Sequence, residues 1–450
     1  MESIKISPEL PRNDVVLLRN LADDIQRCQN PDPVGNEKPS SGRVAKRSSS
    51  APGQEVGNGI SGRYISPPRD DNDLTRMKGL NDPASQDFEP TVFVSVDLQD
   101  LSSRLNPVVY KYILLPDVVM VTHLILYFTT SVPSAIWLYY HFTYLHGIIH
   151  AAMQFYYVGT YTLMMHQHIH GGGVLRKENP LIHLFDITFP YITDPLMGHT
   201  WNTYFYHHVK HHHVEGNGPD DLSSTLRYQR DNIWHFLHYV GRFYFLIWCD
   251  LPLYFLRKDR PTLALKTAFW ELSNYATLLT LFQINSRPTF FVFLMPLMLM
   301  RAGLMVGNWG QHALVDPDEP DSDYRSSITL IDVPSNRYCF NDGYHTSHHL
   351  NPRRHWREHP VHFLANKGTY SAEHALVFHD IDYLEISVRL LLHHYDHLAR
   401  CLVPIGERQI AMTMAQRAAM LRGCTRRFSE DEIAEKFSRA ATCHSYMSYL

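Results

Sequence analysis

Histidine is the outlier in this chain, with 29 among 450 residues, many of them gathered in four short boxes. The first, HQHIHGG, sets His166 and His170 at i, i+4, a spacing that puts both imidazoles on one face of a helix. The second, YHHVKHHHVEGNGPDD, runs from Tyr206 to Asp221 and holds His207, His208, His211, His212 and His213. The third, NWGQH, repeats the i, i+4 spacing with Asn308 and His312, and the fourth, YHTSHHLNP, holds His345, His348 and His349. Neutral imidazole is a good ligand for iron, zinc and copper. The boxes offer more nitrogens than the ~four to six that one metal takes. They suffice for two ions, each held by four or five nitrogens.

The elements that must position these boxes are apolar. No Asp, Glu, Lys or Arg occurs from Val118 to Leu175, whereas crossing a bilayer needs only ~20 apolar residues. This argues against an ordinary fully soluble protein, and the block starts too far into the chain to be a cleaved signal peptide. The pattern predicts spans over Val118–Tyr139 (interrupted by Pro133) and Phe142–Met165, joined as a hairpin, then Thr267–Ile284 and Pro288–Val306. Glu271 and Arg301 inside the last two are expected to snorkel to the interface. Residues 181–209 read as interfacial or re-entrant. Ile233–Leu256 carries Arg242 and Asp250 in its middle, so it is expected to lie along the interface. Basic residues flank the hairpin on both sides, which places both flanks in the cytosol by the positive-inside tendency. The expected fold is therefore an all-α integral membrane protein of four transmembrane helices plus interfacial helices, with all boxes on the cytosolic face.

Outside this region the chain reads differently. Residues 1–90 are expected to be mostly disordered, apart from an amphipathic helix within 1–27; the stretch Cys28 to Asp87 is rich in Pro, Gly, Ser and Asn. Residues 363–450 read as a polar helical tail outside the site, with a capping box at Ser429 and Glu432. Isolated histidines such as His123, His141 and His183, the His146/His150 pair, and His393, His394 and His397 read as structural. Asp220, Asp221, Glu215 and Asp342 are candidates to orient imidazoles, or plain loop acids. A net charge of −4 gives no basic excess for nucleic acid, and the six cysteines show neither a disulfide framework nor a zinc ribbon.

The boxes resemble those of the membrane fatty acid desaturase and hydroxylase superfamily, which includes alkane monooxygenases: H-x(3,4)-H, H-x(2,3)-H-H and [HQ]-x(2,3)-H-H, over about 112–362. Here these are His166/His170, His208 with two of His211, His212 and His213, and His345/His348/His349. The spacing H-x3-H-H selects His212 and His213, the spacing H-x2-H-H selects His211 and His212, and the sequence satisfies both. Asn308 and His312 are similar to an extra element of acyl-CoA desaturases. The resemblance implies a cytosolic di-iron centre of two Fe2+ ions, no catalytic side chains beyond the metal ligands, O2 as co-substrate, and a lipid or fatty acyl substrate. It also implies a multi-pass protein of the endoplasmic reticulum with both termini cytosolic. No fused cytochrome b5 motif occurs, so a separate donor of cytochrome b5 or ferredoxin type is implied. The reaction would be desaturation or hydroxylation of an unactivated C–H bond, since both use the same ligands. The rival reading is a histidine-rich membrane metal transporter or sensor, which predicts polar side chains at mid-span; the His146/His150 pair is the one such feature.

Overall fold

In a computed structural model, residues 10, 12–29, 118–175, 179–333, 336 and 338–444 are described. The expected linker between Cys28 and Asp87 lies almost wholly outside them. The described chain is mostly helical. Helix α1 (Arg12–Gln29) is the expected amphipathic helix. Helices α2 (Val118–Thr129) and α3 (Ser131–Tyr140) form the first apolar stretch and meet at Thr130. Pro133 has no N–H and its ring crowds the carbonyl of residue i−4, which places the interruption here. A long helix, α4 (Tyr144–Gly171), follows. Next come α5 (Pro180–Thr188), α6 (Pro190–Leu196) and a π-helix, Phe205–His212. Helices α7 (Ile233–Arg257) and α8 (Pro261–Ile284) pack side by side. The last apolar helix runs from Ser286 through a π-turn at Phe290–Leu294 into α9 (Met295–His312).

Among the described residues, two helical stretches are long and apolar enough to cross a membrane by length and composition, Val119–Tyr140 and Ser286–His312. The other two expected spans fall on α4 and α8, of 28 and 24 residues. Both carry polar side chains inward. His146 Nε2 and His150 Nδ1 lie 2.8 and 2.9 Å from Ser134 Oγ, and Gln154 bonds Ser131 at 3.0 Å, so a polar ladder joins α3 to α4. The mid-span pair is thus used in packing.

Glu271 and Arg301 do not snorkel. Arg301 Nη2 donates to Glu271 Oε2 at 2.8 Å, with Glu271 almost wholly inaccessible and Thr200 Oγ1 donating to its other oxygen at 2.8 Å. Partners on α8 and α9 lie within reach, so each charge is met by the other inside the bundle.

The polar part surrounds the far ends of α4 and α9. Strands β1 (Ile328–Leu330) and β2 (Leu376–Phe378) pair in parallel. Helix α10 (His345–Leu350) leads into α11 (His359–Ala372), and beyond β2 come α12 (Tyr383–Leu391), α13 (Tyr395–Cys401), α14 (Met414–Gly423) and α15 (Glu430–His444). The Ser429/Glu432 capping box forms as expected, at 2.8 and 3.2 Å. The C-terminal part of the tail, expected to lie outside the site, packs against the loop that follows the second box. Fully buried Arg230 donates to Ala313 O on one side and to Cys424 O and Arg426 O on the other.

The Glu271–Arg301 pair makes a testable case. Arg301→Met alone strands a buried carboxylate and is expected to destabilise the protein by about 3–5 kcal/mol. Adding Glu271→Leu should recover most of that loss, as read by thermal unfolding in detergent. Equal stability of the single and double variants would show that the pair carries no such coupling.

Candidate metal centre

The last two turns of α4 carry His166 and His170, and the helix stops at Gly172, whose φ of 68° suits a residue without a Cβ. The last residue of α9 is His312. Helix α10 brings His345, His348 and His349, and its entry is tight. A Cβ on Gly343 would stand 2.6 Å from Leu330 O, with the Asn336 amide closing the other side. Only glycine lets the backbone approach so closely.

Nine imidazoles converge in two groups. His166, His170, His208, His213 and His348 form one; His212, His312, His345 and His349 form the other, with the ligand atoms of each group within 4.8 Å of one another. In the first group the Nε2 atoms of His166 and His348 lie 2.9 Å apart, those of His348 and His213 2.7 Å, and those of His213 and His208 3.1 Å. In the second, His345 Nε2 is 3.0 Å from His312 Nε2 and 3.1 Å from His349 Nε2. Imidazole–metal bonds of ~2.0–2.1 Å at right or tetrahedral angles put neighbouring nitrogens ~2.8–3.4 Å apart. Nε2 of His170 and of His212 are buried without a hydrogen-bond partner. Close-set nitrogens with orphaned lone pairs fit two metal ions.

The consecutive residues His212 and His213 go to different groups, as do His348 and His349. A π-turn explains the first division. An α-helix brings i, i+3 and i+4 to one face, which would pair His208 with His211 and His212. The i→i+5 ladder of the π-helix, closed by His213 N on His208 O, brings i+4 and i+5 round instead. His208, His212 and His213 therefore face the site. His211, expected among the candidates, turns away: its Nε2 accepts from Leu222 N at 3.0 Å and its ring packs edge-on to Tyr254. Asn308 is also redirected, its Nδ2 donating to Tyr239 Oη at 2.6 Å and to Ser223 O at 3.0 Å. His168 faces Asp186 at 3.6 Å, and His207 packs on Phe243.

The backs of the imidazoles are held. Asp221 Oδ2 lies 2.7 Å from His212 Nδ1, and the carboxylate also accepts from Ser223 Oγ at 2.7 Å and Asn217 N at 3.1 Å. Burial alone would raise this carboxyl, but His212 and His211 outweigh it and hold it well below the usual carboxylate range. His312 Nδ1 lies 2.8 Å from Ser326 O, which leaves Nε2 for the centre. The side chains of Glu215 and Asp220 pair with Lys258 at 2.9 and 2.7 Å. Burial pushes the imidazoles of His208, His213, His345, His348 and His349 well below their ordinary range, so they stand neutral, as metal binding requires. Ser223 and the Ser326 carbonyl were not foreseen. Ser223, two residues past Asp221, has a local signal in its side chain–backbone turn; Ser326 O has none.

An apolar cavity of about 680 Å³ opens on the histidines from between α4 and α9, lined at one end by Phe155 and Leu299 and at the other by His166, His208, His212 and His345.

Fold and site together define a helical protein with two histidine groups, each able to hold a metal ion, at the mouth of an apolar cavity. The model of the fatty acid desaturase family matches residues 135–380, more than half of the chain, and the chain belongs to that family. Membership makes it a membrane-associated, oxygen-dependent oxidoreductase of the di-iron type acting on lipids. No curated protein and no solved structure matches it.

The division of the second box is testable by elemental analysis. His213→Ala is expected to lower metal content by about one ion per chain, whereas His211→Ala retains both. The reverse order would mean that an α-helical register, not the π-turn, describes the bound state.

Proposed function

We propose that the nine histidines of the two groups hold two iron ions, and that the enzyme oxidises an unactivated C–H bond of a fatty acyl or similar lipid chain lying in the cavity. The observation that carries this reading is the opening of that cavity onto both histidine groups. Bound iron supplies the reduction of O2 and an oxidant strong enough for a methylene C–H. The chain's own residues do the rest. Phe155, Val158, Leu163, Leu299 and Leu304 wall the cavity and exclude water. Gly159, Gly303 and Gly307 leave room along it, since a Cβ at any of them would meet nothing within 4 Å. Asp221 and the Ser326 carbonyl hold His212 and His312 in their tautomers. Electrons come from a separate protein of cytochrome b5 or ferredoxin type. The same cavity and ligands serve desaturation and hydroxylation alike.

We further read the chain as a four-span protein, of the endoplasmic reticulum, with the centre and both termini in the cytosol. The C-terminal ends of α4 and α9 meet at the histidines, which supports crossings by the two hairpins α2/α3–α4 and α8–α9. Helix α7 fits the interface. Tyr239 Oη donates to Ser223 O at 3.1 Å near one end, and Tyr254 Oη donates to Glu215 at 2.5 Å near the other. Points ~22 Å apart along the helix thus both touch loops that carry the centre. Arg242 and Asp250 pair at 3.1 Å in an exposed position. The transporter reading lacks support of this kind, because its mid-span histidines are engaged with Ser134.

The purified full chain is expected to hold about two irons and, with a reductase system and O2, to convert supplied lipids to products 2 Da lighter or 16 Da heavier by mass spectrometry. Zinc alone, or a single metal, would sink the di-iron reading. Filling the cavity with Gly303→Phe should cut turnover on the order of 10–100-fold or shift it to shorter chains, with iron content unchanged. Unaltered turnover on the same substrate would place the lipid elsewhere.

A further inference from the structure

Helix α1 lies far from the histidine boxes in sequence, with residues 30–117 between it and α2, yet it is built into the floor of the last box. Its face of Val16, Leu17, Leu18 and Leu21 is buried in one apolar cluster with Tyr344, Phe363, Leu364, Tyr370, Val403 and Ile405. Leu17, Leu18 and Tyr344 are wholly inaccessible. Three polar contacts set its register. Tyr344 Oη donates to Asp14 Oδ1 at 2.5 Å in a buried position. Lys367 on α11 donates to Asn20 and pairs with Asp24.

Tyr344 is the residue before His345, and its carbonyl accepts His348 N at 3.1 Å, so it starts the helix that carries His345, His348 and His349. That helix has six residues, too few to hold itself without tertiary packing. It sends His348 to one group and His345 and His349 to the other. A small rotation of it therefore displaces nitrogens in both groups at once.

We infer that α1 is a clasp: docked through Asp14 on Tyr344, it holds α10 in the orientation that completes both histidine groups, and its release loosens both. Asp14 and Tyr344 are positioning residues, remote from any substrate. The inference rests on the reading of the histidines as metal ligands, but its structural part can be read without metal.

The experiment uses the full chain in detergent, metal-free for hydrogen exchange and then titrated with ferrous iron alone. Asp14→Ala and Tyr344→Phe are expected to speed amide exchange across 345–350 while leaving 205–213 as in the parent. They should also weaken iron binding by about 10–100-fold, the usual cost of losing an outer partner of a ligand. Asp14→Asn keeps an acceptor for the tyrosine hydroxyl and should restore both readouts. Leu17→Asp, which undocks the helix, should give the largest change. Unchanged exchange at 345–350 in all variants overturns the clasp. Exchange that rises equally at 205–213 overturns it too, since α1 would then be a general stabiliser. Altered exchange at 345–350 in a protein that binds no iron in any form, parent included, supports the clasp and removes the metal reading instead.

Discussion

Nine imidazoles buried against one another form the constraint around which the rest of the protein is arranged. Nitrogens 2.7–3.3 Å apart cannot be protonated together, because like charges at that distance in a buried site repel strongly. They cannot all satisfy one another as neutral rings either, since each neutral imidazole has one donor and one acceptor. The arrangement makes sense with cations at the two centres, and it explains why the ligands come from such separate elements. Two long helices, a π-turn and a short helix meet at the same place, and three of the four are tied there from behind: His212 by Asp221, His312 by the Ser326 carbonyl, and α10 through Tyr344.

The apolar part of the molecule follows from the same requirement. On the proposed reading a C–H oxidant needs a dry cavity that delivers one carbon to the histidine groups, and α4 and α9 run together up to them and leave space between them at glycines. Polar groups within the bundle meet one another across helices: Ser134 with His146 and His150, Gln154 with Ser131, and Glu271 with Arg301 and Thr200. Unpaired, each would cost several kcal/mol in an apolar surrounding. Paired, each fixes which helices are neighbours. Arg230 plays the corresponding part in the polar layer, where its guanidinium stitches the loop after the second box, the end of α9 and the C-terminal segment together.

Much of this was legible from residue types and spacing. The uncharged stretch from Val118 marked the first two apolar helices, and the capping box marked the start of α15, because both signals are local. The i, i+4 spacing of His166 and His170 identified two imidazoles on one face, because an α-helix carries the spacing unaltered into space. The second box was ambiguous for a definite reason. Five histidines in seven positions satisfy either an α or a π register, and nothing in the adjacent residues chooses between them. Asn308 misled in the opposite way: its spacing from His312 is right for one face, but Tyr239 and Ser223, distant in sequence, take its amide.

The sequence by itself determined the chemistry on offer: enough neutral imidazole for two metal ions, at the ends of apolar helices, the first of them in a stretch free of charged residues. Residue type and short-range spacing carry that information. Only the tertiary structure decided how the ligands are shared out, that Glu271 and Arg301 meet inside the bundle, and that a helix near the N-terminus braces the last box. Each of these depends on contacts between segments tens to hundreds of residues apart, and such contacts are set by shape and burial, which local spacing does not encode.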